Sequence, residues 1–125
     1  MNAFAMAQRS YSAATTPIKT PRSVEYELFS KITKRLCETA KQRKSKLPAF
    51  LEALEQNRKF WGILAVDVAS PENALPKELR AQIFYLAEFT EIHTGRIIQH
   101  GASVAALIDI NTAILRGLKD GIAKK

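Results

Sequence analysis

A single cysteine, Cys37, is the only thiol in this chain of 125 residues. That excludes an intramolecular disulfide and a cysteine-rich zinc site, and it fits a reducing compartment. With no sequence motif around it, Cys37 is expected to be a small buried hydrophobe. Histidine is scarce too. His93 and His100 stand seven positions apart on one predicted helix, about 10 Å along its axis, too far to share an ion. No metal site is expected. Glycine is sparse, and there is neither a phosphate-cradling loop nor a nucleophile motif. The expectation is a protein that is not an enzyme and carries no cofactor. Long apolar runs are missing as well. The longest, Phe60 to Ala69, is broken by Gly62 and Asp67 and falls short of the roughly 18 residues that span a bilayer. Met1 to Ala14 is Ala-rich but lacks the charged start and greasy run of a signal peptide. A cytoplasmic protein without membrane insertion is expected.

What the chain does contain is helical periodicity. Its length suits one domain with its own core. Thr20 and Pro21 can open a helix on which Val24, Leu28, Ile32 and Leu36 recur every four residues. Pro48 opens another, running to about Ala69, with a stripe of Phe50 or Leu51, Leu54, Trp61, Leu64, Ala65 and Val68. Gly62 inside it costs about 1 kcal/mol relative to Ala or permits a close helix contact. Pro76 opens a third, whose face holds Leu79, Ile83, Leu86, Thr90, His93 and Ile97, widened by Phe84, Tyr85 and Phe89, and which Gly101 ends. A fourth runs from Ser103 to about Ile122 with Val104, Leu107, Ile108, Asn111, Ile114 or Leu115, and Leu118 in its stripe. A shorter helix fits Ala3 to Ala13, where Phe4, Ala7 and Tyr11 recur near helical spacing. The connections are short, so consecutive long helices should be antiparallel neighbours. The expected fold is all-α: an antiparallel bundle of four main helices plus a short N-terminal helix. Residues 1–19 form an N-terminal segment, a candidate flap, and 20–125 the bundle.

The net charge is +7 and uneven: nine basic residues between Lys19 and Lys46 face only Glu25, Glu27 and Glu38. Lys31, Lys34, Arg35, Lys41, Arg43 and Lys44 are the candidate basic patch. It is either a solvated face with a basic helix end, which the helix dipole favours, or a surface for an acidic partner or polyanion. Asn57, Arg58, His93 and Asn111 interrupt apolar stripes on three helices. If buried they must find partners, either in a polar cluster that fixes register or in a partner-binding groove. Arg58 can pair with Asp67 or with a carboxylate from another helix. Trp61 is either a core anchor or a binding hot spot at the rim.

A set of spaced residues gives a more specific reading. Thr20-Pro21-Arg22 opens the second helix, after an Ala-rich segment around Tyr11. Asn57-Arg58-Lys59-Phe60-Trp61, Asp67, Asn73-Ala74-Leu75-Pro76 and Leu79-Arg80 follow, then His93-Thr94, Ile108-Asp109-Ile110-Asn111 and Gly117-Leu118. From roughly Tyr11 to Leu118 this pattern resembles the FlaF family of alphaproteobacterial flagellar biosynthesis regulators. The resemblance implies a role in flagellin synthesis and export, with or against the translational regulator FlbT. It implies a flagellin-specific helper or secretion chaperone rather than a catalyst. Tyr11, Asn57, Arg58, Trp61, Arg80, His93 and Asn111 are the candidate partner-binding residues. Flagellin is the expected partner, with FlbT a second. RNA, perhaps flagellin message, is a weaker third, because no aromatics interleave the basic run. A chaperone of this kind would be a monomer or a homodimer.

Overall fold

The computed structural model describes the backbone of residues 21–123 and the side chains of residues 26–117. Four helices account for most of it: α1 (Pro21–Lys41), α2 (Leu47–Ala69), α3 (Lys77–His100) and α4 (Ala105–Ala123). No strand occurs among the described residues. The all-α class and the four main helices therefore hold. The expected helix from Ala3 to Ala13 lies outside the described residues.

The helix ends follow the local sequence. Pro21 is the first residue of α1, and Pro48 occupies the first turn of α2, where a missing N–H costs nothing. Pro76 sits just before α3. At the start of α4 the Ser103 hydroxyl accepts the Ala105 N–H at 3.1 Å. At the end of α3, Gly101 adopts φ 66°, the left-handed region. Its N–H reaches Ile97 O at 3.1 Å, and Ala102 N–H reaches Arg96 O at 3.3 Å. A Cβ at Gly101 would meet nothing within 4 Å, so only backbone strain opposes a side chain there. Gly101→Ala is expected to lower stability by about 1 kcal/mol, read by chemical denaturation.

The core divides along the bundle. One cluster joins Phe29 of α1, Phe60, Trp61 and Val68 of α2, and Ile83 and Ala87 of α3, with Ile110, Ile114 and Leu115 of α4 packed against it. The other joins Leu36 of α1, Phe50, Ala53 and Leu54 of α2, Ile97 of α3 and Leu107 of α4. Early α1 thus meets late α2, early α3 and late α4, while late α1 meets the opposite ends. Phe29 stacks on Phe60 with centroids 4.7 Å apart and meets Trp61 edge-on at 5.8 Å, geometries that suit the ring quadrupoles.

The stripes differ from the expected ones in detail. On α1 the inward residues are Phe29, Thr33 and Leu36, whereas Leu28 is 42% exposed. A row repeated every four residues drifts round the helix, because one turn takes 3.6. On α2, Phe50 is buried and Leu51 is not; on α3, Phe84 and Tyr85 are exposed rather than widening the core. They stand roughly 100° and 200° round from Ile83. Gly62 approaches nothing closely. Cys37 is half-buried rather than enclosed.

Candidate functional site

Three helices meet in one buried polar bridge. Asn57, Asn111 and Trp61 are essentially inaccessible, and Thr33 nearly so. The indole N–H of Trp61 donates to Asn111 Oδ1 at 2.9 Å. Asn111 Nδ2 donates to Asn57 Oδ1 at 2.8 Å and to Thr33 Oγ1 at 3.1 Å. An indole can only donate, so Asn111 must turn its oxygen toward Trp61. Its amide hydrogens then point at Thr33 and Asn57, and Asn57 must present its own oxygen. One donor-only ring thus fixes both amide orientations and ties α1 and α4 to α2. Trp61 is a core anchor, not a rim residue. Thr33 was not foreseen, since a threonine between Ile32 and Lys34 gives no sign of a distant amide partner.

Arg58 and His93 do not belong to this bridge, contrary to their place on the expected stripes. Each is on the flank of its helix. Arg58 Nη2 lies 2.6 Å from Glu55 on its own helix, and Nη1 lies 3.2 Å from Glu91 on α3. The hydrogen bond from Arg58 holds the Glu55 carboxyl below its ordinary range. Asp67 is not Arg58's partner. His93 Nε2 lies 2.7 Å from Ser103 O, joining α3 to the turn before α4, and its ring stacks on Phe89 at 5.3 Å.

Asp67 and Arg80 belong instead to the α2–α3 connection. Arg80 Nη1 donates to Ser70 O at 3.3 Å. The Asn73 side chain donates to Asp67 O at 3.2 Å, and its Oδ1 accepts the Leu75 N–H at 3.0 Å. This pins the turn and explains the Asp67, Asn73 and Arg80 spacing as structural. The Asp67 carboxyl titrates above its ordinary value, chiefly because burial disfavours its charge, with the Asn73 amide opposing. A carboxyl raised by folding contributes stability that is complete below its unfolded value, about 3.9, and is lost as pH rises through the folded one. Asp67→Asn is therefore expected to raise Tm at pH 7, and the gain should vanish toward pH 4.

Two further regions lie outside these contacts. The first is basic. Lys31, Lys34, Lys41 and Lys44 are exposed on α1 and the turn after it. Arg35 pairs with Glu52 at 3.2 Å. Arg43 leaves the patch: it donates to Ile97 O at 3.2 Å and lies over the Phe50 ring at 5.0 Å, where the carbonyl end of α3 favours a cation.

The second is apolar. α3 packs along α2, and α1 along both α2 and α4, but α3 and α4 approach each other sparsely although they are consecutive. The backbones of α3 and α4 therefore stand apart along most of their length. His93 marks the side of α3 that faces α4; Leu86 and Leu79 follow at intervals of seven residues, two turns each. Leu86, Phe89, Ile110 and Ile114 are half-buried, and Leu79 is 37% exposed. The His93–Ser103 contact ties α3 to the turn at 101–104. Tyr11 lies outside the described residues. No group of three metal-ligating side chains occurs among the described residues, and no helix there is long and apolar enough to cross a membrane.

The family model described as flagellar protein FlaF matches residues 7–118. No curated protein and no solved structure matches the chain.

Proposed function

The chain belongs to the FlaF family of flagellar proteins, and from that premise we propose that it binds flagellin as a secretion chaperone during flagellin synthesis and export. In this reading it is a cytoplasmic, antiparallel helical bundle that performs no catalysis and needs no cofactor. Flagellin ends form helices whose apolar stripes are buried in the filament, and before assembly such stripes promote aggregation. An amphipathic helix is covered by laying its apolar face in a hydrophobic groove.

The observation that supports this reading is the sparse approach of α3 and α4, beside which Leu86, Phe89, Ile110 and Ile114 are half-buried and Leu79 is exposed. The buried candidates Asn57, Trp61 and Asn111 hold α1, α2 and α4 together instead of touching the client. Isothermal titration with monomeric flagellin, at low and high salt, tests it. Salt-tolerant binding with a negative heat-capacity change is expected, and Leu86→Glu should weaken it at least tenfold. Absence of binding at both salt concentrations would remove the chaperone role.

A second reading rests on the exposed Lys31, Lys34, Lys41 and Lys44. Through them the protein acts as an adaptor on FlbT, assisting or antagonising it, and flagellin binding is indirect. Association of the two purified proteins that falls steeply with salt favours this adaptor. Steep salt dependence on flagellin message favours RNA binding instead.

A further inference from the structure

We propose that the outer face of α1 binds a helix of a partner protein in which two acidic residues flank a basic one. This rests on the adaptor reading and adds the chemistry by which the partner is recognised.

Lys31, Lys34, Arg35, Glu38, Thr39 and Gln42 line an open recess of about 420 Å³. Their spacing puts them on one side of α1 and of the turn that continues it, where Gln42 N–H reaches Thr39 O at 3.0 Å. Lys41 lies seven positions after Lys34, two turns along the same side. From Lys31 to Gln42 the recess runs about 16 Å, which is the length of three turns of a facing helix.

The lysines of this face are free to pair with a visitor. Arg35 is held by Glu52 at 3.2 Å. Among the described residues, Lys31, Lys34 and Lys41 make no ion pair. Thr39 turns its hydroxyl back to Arg35 O at 2.8 Å, so it adds no donor to the recess. The cations therefore call for carboxylates or phosphates.

Glu38 decides between these. It is exposed, and it stands between Lys34 and Lys41 in the order Lys34, Glu38, Lys41, four and three residues apart. A nucleic acid carries a negative charge at every nucleotide and cannot leave a gap opposite Glu38. Nor does the recess hold an aromatic ring on which a base could stack. A lipid surface would be met by apolar side chains among the cations, and the lining has none. A helix can place a lysine or arginine against Glu38 and carboxylates against Lys34 and Lys41. Like charges set against each other across an interface repel, so Glu38 rejects a uniformly acidic helix.

Two Ala-rich helical peptides of about 20 residues test this. Both carry a row of three charges spaced by four and three residues. One row reads Glu-Lys-Glu and the other is all Glu. Each is titrated into the isotope-labelled full chain at ~0.15 M salt, where a Debye length of about 8 Å lets contacts outweigh the net charge. Amide signals of Lys34, Glu38 and Gln42 are expected to shift, while those of Ile63 and Val66 on α2 stay in place. The Glu-Lys-Glu peptide should bind at least about threefold tighter, although it is the less acidic. Glu38→Lys should reverse that order, and Lys34→Glu with Lys41→Glu should weaken binding about tenfold. All three positions are exposed, so the fold does not depend on them. Tighter binding of the all-Glu peptide to the parent chain would overturn the proposal. So would an order that Glu38→Lys leaves unchanged, or tighter binding of a uridine oligonucleotide than of either peptide. Purified FlbT separates the two levels. If the peptide order holds and FlbT does not bind, the adaptor reading fails for FlbT while the surface stands. If FlbT binds equally to the Lys34→Glu, Lys41→Glu variant, the adaptor reading stands and this surface is not its site.

Discussion

Trp61→Ala is expected to cost about 3–5 kcal/mol of stability, a large share of the roughly 5–15 kcal/mol that holds an ordinary domain folded. The indole is 1% exposed and meets Phe29 edge-on at 5.8 Å. Its loss opens a cavity at the junction of α1 and α2, and also leaves Asn111 Oδ1 without its donor. Trp61→Phe separates the two effects. It retains most of the packing and loses the hydrogen bond, so it should cost roughly 1–3 kcal/mol. Urea denaturation followed by circular dichroism would rank the variants. A Trp61→Ala protein as stable as its parent would mean that the ring does not anchor the core.

Asn111→Ala is the second large loss, about 3–5 kcal/mol, from the groups it leaves unpaired and the volume it vacates. The Trp61 N–H, Asn57 Oδ1 and Thr33 Oγ1 each lose the partner that Asn111 provides. Threonine's hydroxyl can turn elsewhere, but the indole and the Asn57 carbonyl are held by their packing. Asn111→Asp is the sharper probe. It keeps an acceptor for Trp61 but has no amide hydrogens for Asn57 and Thr33, and it buries a charge at neutral pH. Its stability should recover in part as the pH falls and the carboxyl protonates. A variant whose Tm deficit is the same at pH 4 and pH 7 would place Asn111 in contact with water.

The bounds of the four main helices were legible because they depend on local chemistry. Pro21, Pro48, Pro76, Ser103 and Gly101 act within one turn of themselves. Which residue faces inward was less legible. Leu28 and Phe29 are adjacent and both apolar, and a four-residue ladder chose Leu28; packing against Phe60 decides for Phe29. The polar residues divided for the same reason. Asn57 and Asn111 are amides with nothing local to satisfy them, and their partners lie 54 positions apart in the chain. Arg58 has Glu55 one turn away, and a long flexible side chain reaches it without entering the core. No spacing rule separates these cases, since what separates them is how each helix is rotated against its neighbours. The sparse approach of α3 and α4 lay beyond sequence reasoning altogether, because it is a property of how far apart two helices stand.

The bond from Trp61 to Asn111 spans 50 positions of chain, and this bears on the order in which the protein is made. During synthesis α1, α2 and α3 leave the ribosome before α4 does. Until then Phe29, Phe60 and Ile83 can gather, but the indole they enclose has no acceptor in its final position. A product terminated before position 111 keeps a buried donor unmet and one side of its core uncovered. Limited proteolysis is expected to cut such fragments faster than the 125-residue chain. The core therefore closes only when α4 arrives, and copies that lack α4 are the ones a cell's proteases would clear first.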